Sequence, residues 1–246
     1  MKTLTLFVGM MLTATALWSS PKDSLVVREK TPSRWKVTAR LHSRGLFSYG
    51  GRLVSANPVA DLAISYAGKT WGFQFFKAAD LSDRQTPINF AFGLVNRPSH
   101  VGSHLTITPS VGVMFEQYHS FADHGSDAVL LITTTYRFNK ALAIEHSSLA
   151  GNLVVTPDLR DWVNRLRLLY SHGHLDITLF GWHNNAAFDR SSYLTAGASI
   201  FYSRIKLVDA ITLQAGVTGL WMATASEAET LNNASGIFAS LGISIN

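Results

Sequence analysis

The chain has 246 residues, 21 Lys and Arg against 16 Asp and Glu, a formal net charge of +5 and no cysteine. The lack of thiols excludes disulfides, a lipoprotein anchor, thiol nucleophiles and thiolate metal sites, and it fits an exported protein that does not rely on disulfides. Hydrophobic residues make up 47% of the chain, yet after the first segment no apolar run approaches the roughly 20 residues of a transmembrane helix.

Residues 1–20 read as a signal peptide. Lys2 gives the positive start, Leu4 to Leu17 the apolar stretch, and Ala14-Thr15-Ala16 the small-x-small cleavage pattern. Residues 21–34 are polar and punctuated by proline, which predicts a short periplasmic tail. From Trp35 the pattern changes to period two. Trp35, Val37, Ala39 and Leu41 alternate with Lys36, Thr38, Arg40 and His42, giving one apolar and one charged face. The same alternation places Leu62, Ile64 and Tyr66 on one face, then Trp71, Phe73 and Phe75, then Ile88, Phe90, Phe92 and Leu94. Leu105, Ile107, Val111, Val113 and Phe115 follow, with Pro109 predicting a bulge or strand boundary among them. Similar segments run from Ala128, Leu142, Trp162, Leu175, Leu194 and Ile211, and the last carries Ile237, Ala239, Leu241, Ile243 and Ile245.

These segments predict about twelve strands. Tight turns such as Gly68-Lys69, Asn139-Lys140 and His172-Gly173, and the moderately short connector Ser203 to Asp209, alternate with longer connectors, among them Ala150 to Arg160 and Asn184 to Ser192. Short periplasmic turns, long external loops and an even strand number characterise bacterial outer-membrane barrels. The expectation is therefore an all-β fold, a closed antiparallel transmembrane β-barrel over residues 35–246, in the outer membrane of a Gram-negative bacterium with both termini periplasmic. Its partners are outer-membrane lipids, phospholipid and lipopolysaccharide, to which a basic chain is weakly attracted; an exported barrel does not meet nucleic acid.

Chemistry is sought on both faces. Arg137, Glu145, Arg165 and Arg167 fall on the lumen side and predict an internal ion-pair network, or a selectivity ring. His119, Asp123, His124 and Asp127 cluster around one external loop and are candidate metal ligands. On the lipid side the sequence places His146, Ser148 and Asn164, polar groups where apolar ones are expected. Pairing Ser148 with Trp162 would set His146 opposite Asn164. A hydroxyl, an imidazole and an amide together suit acyl transfer, with Ser148 as nucleophile, His146 as base and Asn164 orienting the ring.

The stretch Glu145-His146-Ser147-Ser148 through Asp161-Trp162-Val163-Asn164-Arg165 resembles the active-site hairpin of outer membrane phospholipase A, a twelve-stranded barrel. It is also similar to the His-x-Ser of the lipid A 3-O-deacylases. The resemblance implies a serine acyl hydrolase acting on phospholipid or lipid A, with Ser148, His146 and Asn164 catalytic, calcium as cofactor and a homodimer as the active form. The alternative is a non-enzymatic barrel, either a small-solute channel or a structural or adhesive surface protein.

Overall fold

The alternation read in the sequence becomes the two faces of one wall. In the last strand the side chains of Ile237, Leu241, Ile243 and Ile245 are 68%, 51%, 44% and 46% exposed, while Phe238, Ser240 and Ser244 are buried. Apolar groups outside and polar groups inside reverse the rule for soluble proteins, and the outer face is stable only against hydrocarbon.

The computed structural model describes residues 34–45, 57–81, 89–117, 127–151, 153–154, 161–186, 191–225 and 235–245. The signal peptide and the tail predicted over 1–34 lie outside the described residues, except Arg34, which opens the first strand. The strands are β1 (Arg34–His42), β2 (Val59–Ala67), β3 (Gly72–Asp80), β4 (Asn89–Asn96), β5 (Ser99–Val101), β6 (Leu105–Gln117), β7 (Asp127–Arg137), β8 (Leu142–Ala150), β9 (Asp161–His172), β10 (Leu175–Ala186), β11 (Ser191–Val208), β12 (Ile211–Ala225) and β13 (Gly236–Ile245). Neighbours in sequence pair antiparallel. β13 returns to β1, from Val37 opposite Ile245 to His42 opposite Ser240. β4 and β5 both pair with β6, so β5 continues β4 past a short break and the closed wall has twelve staves, as expected.

The predicted interruption at Pro109 falls on its partner. Pro109 itself stays in register opposite Ile132. Its carbonyl accepts from Arg97 N–H at 3.1 Å, so the edge that lacks a donor faces the break between β4 and β5. A proline that cannot donate is harmless where the neighbouring strand has already parted.

Two local expectations are corrected. The predicted connector Ser203 to Asp209 is strand: β11 runs to Val208 through a register shift between Tyr202 and Ile205, with Arg204 at φ 60°. The face assigned to β4 is inverted. Leu94 is 4% exposed and packs inside with Met114 and Val129, with Phe92 against them, while Val95 faces out at 45%. Both faces of β4 are apolar, so periodicity could not choose between them.

Aromatic residues ring the wall towards the short turns. Trp35 packs against Tyr66 with the rings tilted and centroids 4.9 Å apart, and Tyr136 meets Phe138 at 5.1 Å. Such amphipathic rings settle at the headgroup level. A charge placed between the two rims tests the assignment. Leu241→Arg is expected to lower the unfolding free energy in lipid vesicles by about 2–4 kcal/mol, read by urea titration with heat-modifiable gel mobility; an unchanged midpoint would mean that this wall does not face hydrocarbon.

Candidate functional site

The interior mixes apolar and charged side chains. Val163, Phe180, Trp182, Leu220 and Phe238 form one buried cluster with Leu149 against it. Phe76 and Phe92 pack against Val59 and Ala78 and stack with centroids 5.2 Å apart. The rings are accommodated by glycines opposite them. Phe180 faces Gly197 and Phe201 faces Gly216 across neighbouring strands. A Cβ on Gly216 would lie 2.5 Å from the Phe201 ring, and one on Gly197 would strike the Phe180 ring. The aromatic side chains thus lie against the wall.

Beside these rings is a charged belt, with Arg167 directly opposite Phe180 and Arg165 directly opposite Trp182. Glu145 on β8 opposes Arg167 on β9, and Ser147 opposes Arg165. Glu145 Oε1 accepts from Arg165 Nη2 at 3.0 Å, Arg167 Nε at 3.0 Å and Arg167 Nη2 at 2.5 Å. Arg165 also donates to Ser147 Oγ at 3.1 Å, and its guanidinium lies 5.2 Å from the centre of the Trp182 ring. The predicted network is therefore present around Glu145. Arg137 stands apart from it, exposed at the short-turn end, where it lines a depression of about 250 Å³ with Thr135, Lys140 and Glu145.

A second network was not foreseen. Asp61 accepts from Arg40 Nε at 3.0 Å and from His42 Nε2 at 2.7 Å, and the other ring nitrogen of His42 meets Ser240 Oγ at 2.7 Å. Serine, histidine and aspartate follow in the order used for nucleophilic catalysis. Ser240 and His42 are, however, only 5% and 7% exposed, which leaves no room for an acyl group at the hydroxyl. The chain joins β13, β1 and β2 and fastens the closing seam, assisted by Thr38 and Ser244 at 2.8 Å. The β1–β2 hairpin brings Arg40, His42 and Asp61 together, and Ser240 joins them only through the seam register.

On the outer wall, His146, Ser148 and Asn164 face out as predicted, but the hairpin register differs by two residues. Ser148 is opposite Asn164, Ala150 is opposite Trp162, and His146 is opposite Leu166. The Ser148 hydroxyl donates to Asn164 Oδ1 at 2.7 Å. His146 is exposed. The structure thus brings Ser148 and Asn164 together and directs the hydroxyl proton to the amide.

Sequence reasoning stopped β10 too early. Strand continues through Asn184 and Asn185 and resumes at Ser191, so residues assigned to a loop belong to the wall. Outward-facing His183 and Asn185 extend the polar row, with His183 directly opposite Asn164 and Asn185 opposite Ser192. Period two carried on past Leu179 to Gly181, His183 and Asn185 would have found them. The candidate metal loop, His119 to His124, lies outside the described residues; among the described residues no three His, Asp or Glu side chains gather as a metal site.

The architecture can be compared once these faces are known. No protein-family model matches the chain, and no characterised protein matches it by sequence. Solved structures match in three dimensions. The KdgM porin, in complex with disordered oligogalacturonate, is 8% identical with a TM-score of 0.58, covering 86% of this chain and 98% of its own. The NanC porin is 10% identical with a TM-score of 0.54, covering 85% of this chain and 99% of its own. What is shared is the fold. These barrels are porins, and the local likeness of the 145–165 hairpin to outer membrane phospholipase A gains nothing from them.

The belt yields a direct test. Glu145→Ala leaves two guanidinium groups facing each other with no carboxylate, and removing one partner of a buried pair costs about 3–5 kcal/mol. Because both arginines also reach open space, about 2 kcal/mol is expected here, measured by urea unfolding of the refolded barrel. Glu145→Gln should lose less, and more of the loss should return when Arg167→Gln is added.

Proposed function

We propose that this protein is an outer-membrane channel for small polar solutes, narrow in bore and biased towards anions, with both termini in the periplasm. The observation that carries the reading is the exposure of the arginines in the charged belt and in the seam network. Arg40, Arg165 and Arg167 keep 31%, 24% and 31% of their side-chain surface open inside a closed barrel, against side-chain exposures of 0% for Asp61 and 11% for Glu145. The accessible groups are cations, and the carboxylates lie behind them. A passing solute meets guanidinium donors, which favour carboxylate and phosphate. The apolar side chains beside the belt, Phe180 and Trp182 among them, fill part of the narrow bore and disfavour large hydrated solutes.

The neighbours support this reading. One of them, the KdgM porin, is seen with oligogalacturonate, an acidic oligosaccharide, and a lumen with exposed arginines suits the same solute chemistry. Lipid surrounds the apolar wall and holds the barrel in place. Short turns on one side and long connectors on the other fit the usual orientation, with the long ones outside.

Planar-bilayer recording of the refolded full chain tests the proposal. Small single-channel steps are expected, with a reversal potential in a KCl gradient that shows preference for chloride. Arg167→Ser should move that potential towards cations. The shift should shrink at high salt, since charge selectivity decays as the Debye length falls to about 3 Å at 1 M. Folded protein that gives no steps would overturn the channel and leave a plugged barrel with a structural or adhesive role.

A further inference from the structure

The outer wall carries a polar patch that a channel does not need. Ser148, Asn164 and His183 stand directly opposite one another on β8, β9 and β10. One row further on, Ala150, Trp162, Asn185 and Ser192 do the same across four strands. All of these positions face out, where neighbours such as Leu166, Leu179 and Leu194 are exposed hydrophobics. Polar side chains on a lipid-facing wall are costly unless they are used. Trp162 is 50% exposed in the same row as Asn185 and Ser192. An outward tryptophan marks the membrane interface, the depth at which the ester bonds of lipids lie.

Two hydroxyls occupy this patch, and their surroundings differ. That of Ser148 donates to an amide oxygen, which cannot take up its proton. That of Ser192 lies 3.4 Å from His183 Nε2, an exposed imidazole. Nucleophile–base contacts of this length are common before substrate arrives and tighten on binding. Asn185 is directly opposite Ser192 and also exposed, which puts its amide on the same face as the hydroxyl.

We propose that Ser192, His183 and Asn185 form an acyl-ester hydrolase site on the outside of the barrel, acting on lipid esters at the membrane interface. Ser192 Oγ bonds to the ester carbonyl carbon as its proton passes to His183 Nε2. Asn185 donates to the carbonyl oxygen as negative charge develops there. The ester C–O bond breaks, and the leaving alkoxide takes the proton from His183. Water then attacks the acyl-serine, giving its proton to His183. The fatty acid departs and the Ser192 hydroxyl is restored. The net reaction is ester plus water to carboxylic acid plus alcohol. This site is independent of the lumen.

The test uses the full chain refolded in mixed micelles of phosphatidylethanolamine and detergent. It is treated with an alkyl fluorophosphonate and the adduct is located by peptide mass spectrometry; fatty-acid release is followed in parallel. The expected adduct is on Ser192. Ser192→Ala and His183→Gln should each lower release by about 10³-fold or more. Asn185→Ala should lower kcat by about 10²-fold with little change in KM. Ser148→Ala should stay close to the parent. All four variants should keep heat-modifiable mobility and the parent's conductance, so that loss of hydrolysis is separated from failure to fold and from failure of the channel reading. Folded protein with no adduct and no release would overturn the site. So would an adduct on Ser148 with Ser192→Ala fully active, which would move the chemistry to the His146–Ser148 pair.

Discussion

Hydrocarbon offers no hydrogen bonds, and that constraint organises the molecule. Each backbone N–H and C=O at membrane depth needs a partner within the wall, so a sheet is stable there only when its first and last strands meet. β1 and β13 meet over six residue pairs from Val37–Ile245 to His42–Ser240. Side chains reinforce the junction, because His42 bridges Ser240 on β13 and Asp61 on β2. Buried polar groups that are fully paired specify a single arrangement. This one selects the register in which the ends of the chain join.

Closure also divides the side chains into two populations by parity alone. One faces lipid and is apolar; the other faces a small interior and is mixed. In the sector from β3 to β7 the interior is mainly apolar, with Phe76, Phe92, Leu94, Met114 and Val129 turned inward beside Asn96 and Ser110. In the sector of β8 and β9 it is ionic. The greasy and the cationic surfaces thus lie side by side on the inner wall, while the polar patch around Asn185 and Ser192 lies on the opposite face of the same strands. The two faces can therefore differ in chemistry without interfering.

Much of this was legible in the sequence, and the failures have physical causes. Strand number, closure and the inward set Glu145, Arg165 and Arg167 followed from period two, because a charge on one face of a greasy strand leaves a single consistent orientation. β4 failed because Phe90, Phe92 and Leu94 alternate with Ala91, Gly93 and Val95, and neither face repels lipid. The hairpin of Ser148 failed differently. Parity put Ser148 and Asn164 on the correct face, but a shift of two residues preserves the face while changing every partner. His42, Asp61 and Ser240 were invisible as a group because their contact depends on closure between residues 198 apart. His183, Asn185 and Ser192 were hidden because asparagine and serine near a strand end read as loop.

The glycines opposite aromatic rings on the inner wall give a way to read how the bore is set. Phe180 and Phe201 occupy the space that a side chain at Gly197 or Gly216 would fill. Their rings lie along the wall because the position behind them is empty. In a channel of this build the diameter of the passage would thus be governed by residues that never touch a solute. Enlarging a hidden position would swing a ring towards the axis, and trimming a ring would open a pocket in the wall. Permeability in such a barrel can therefore drift through changes at sites that a survey of pore-lining groups would overlook.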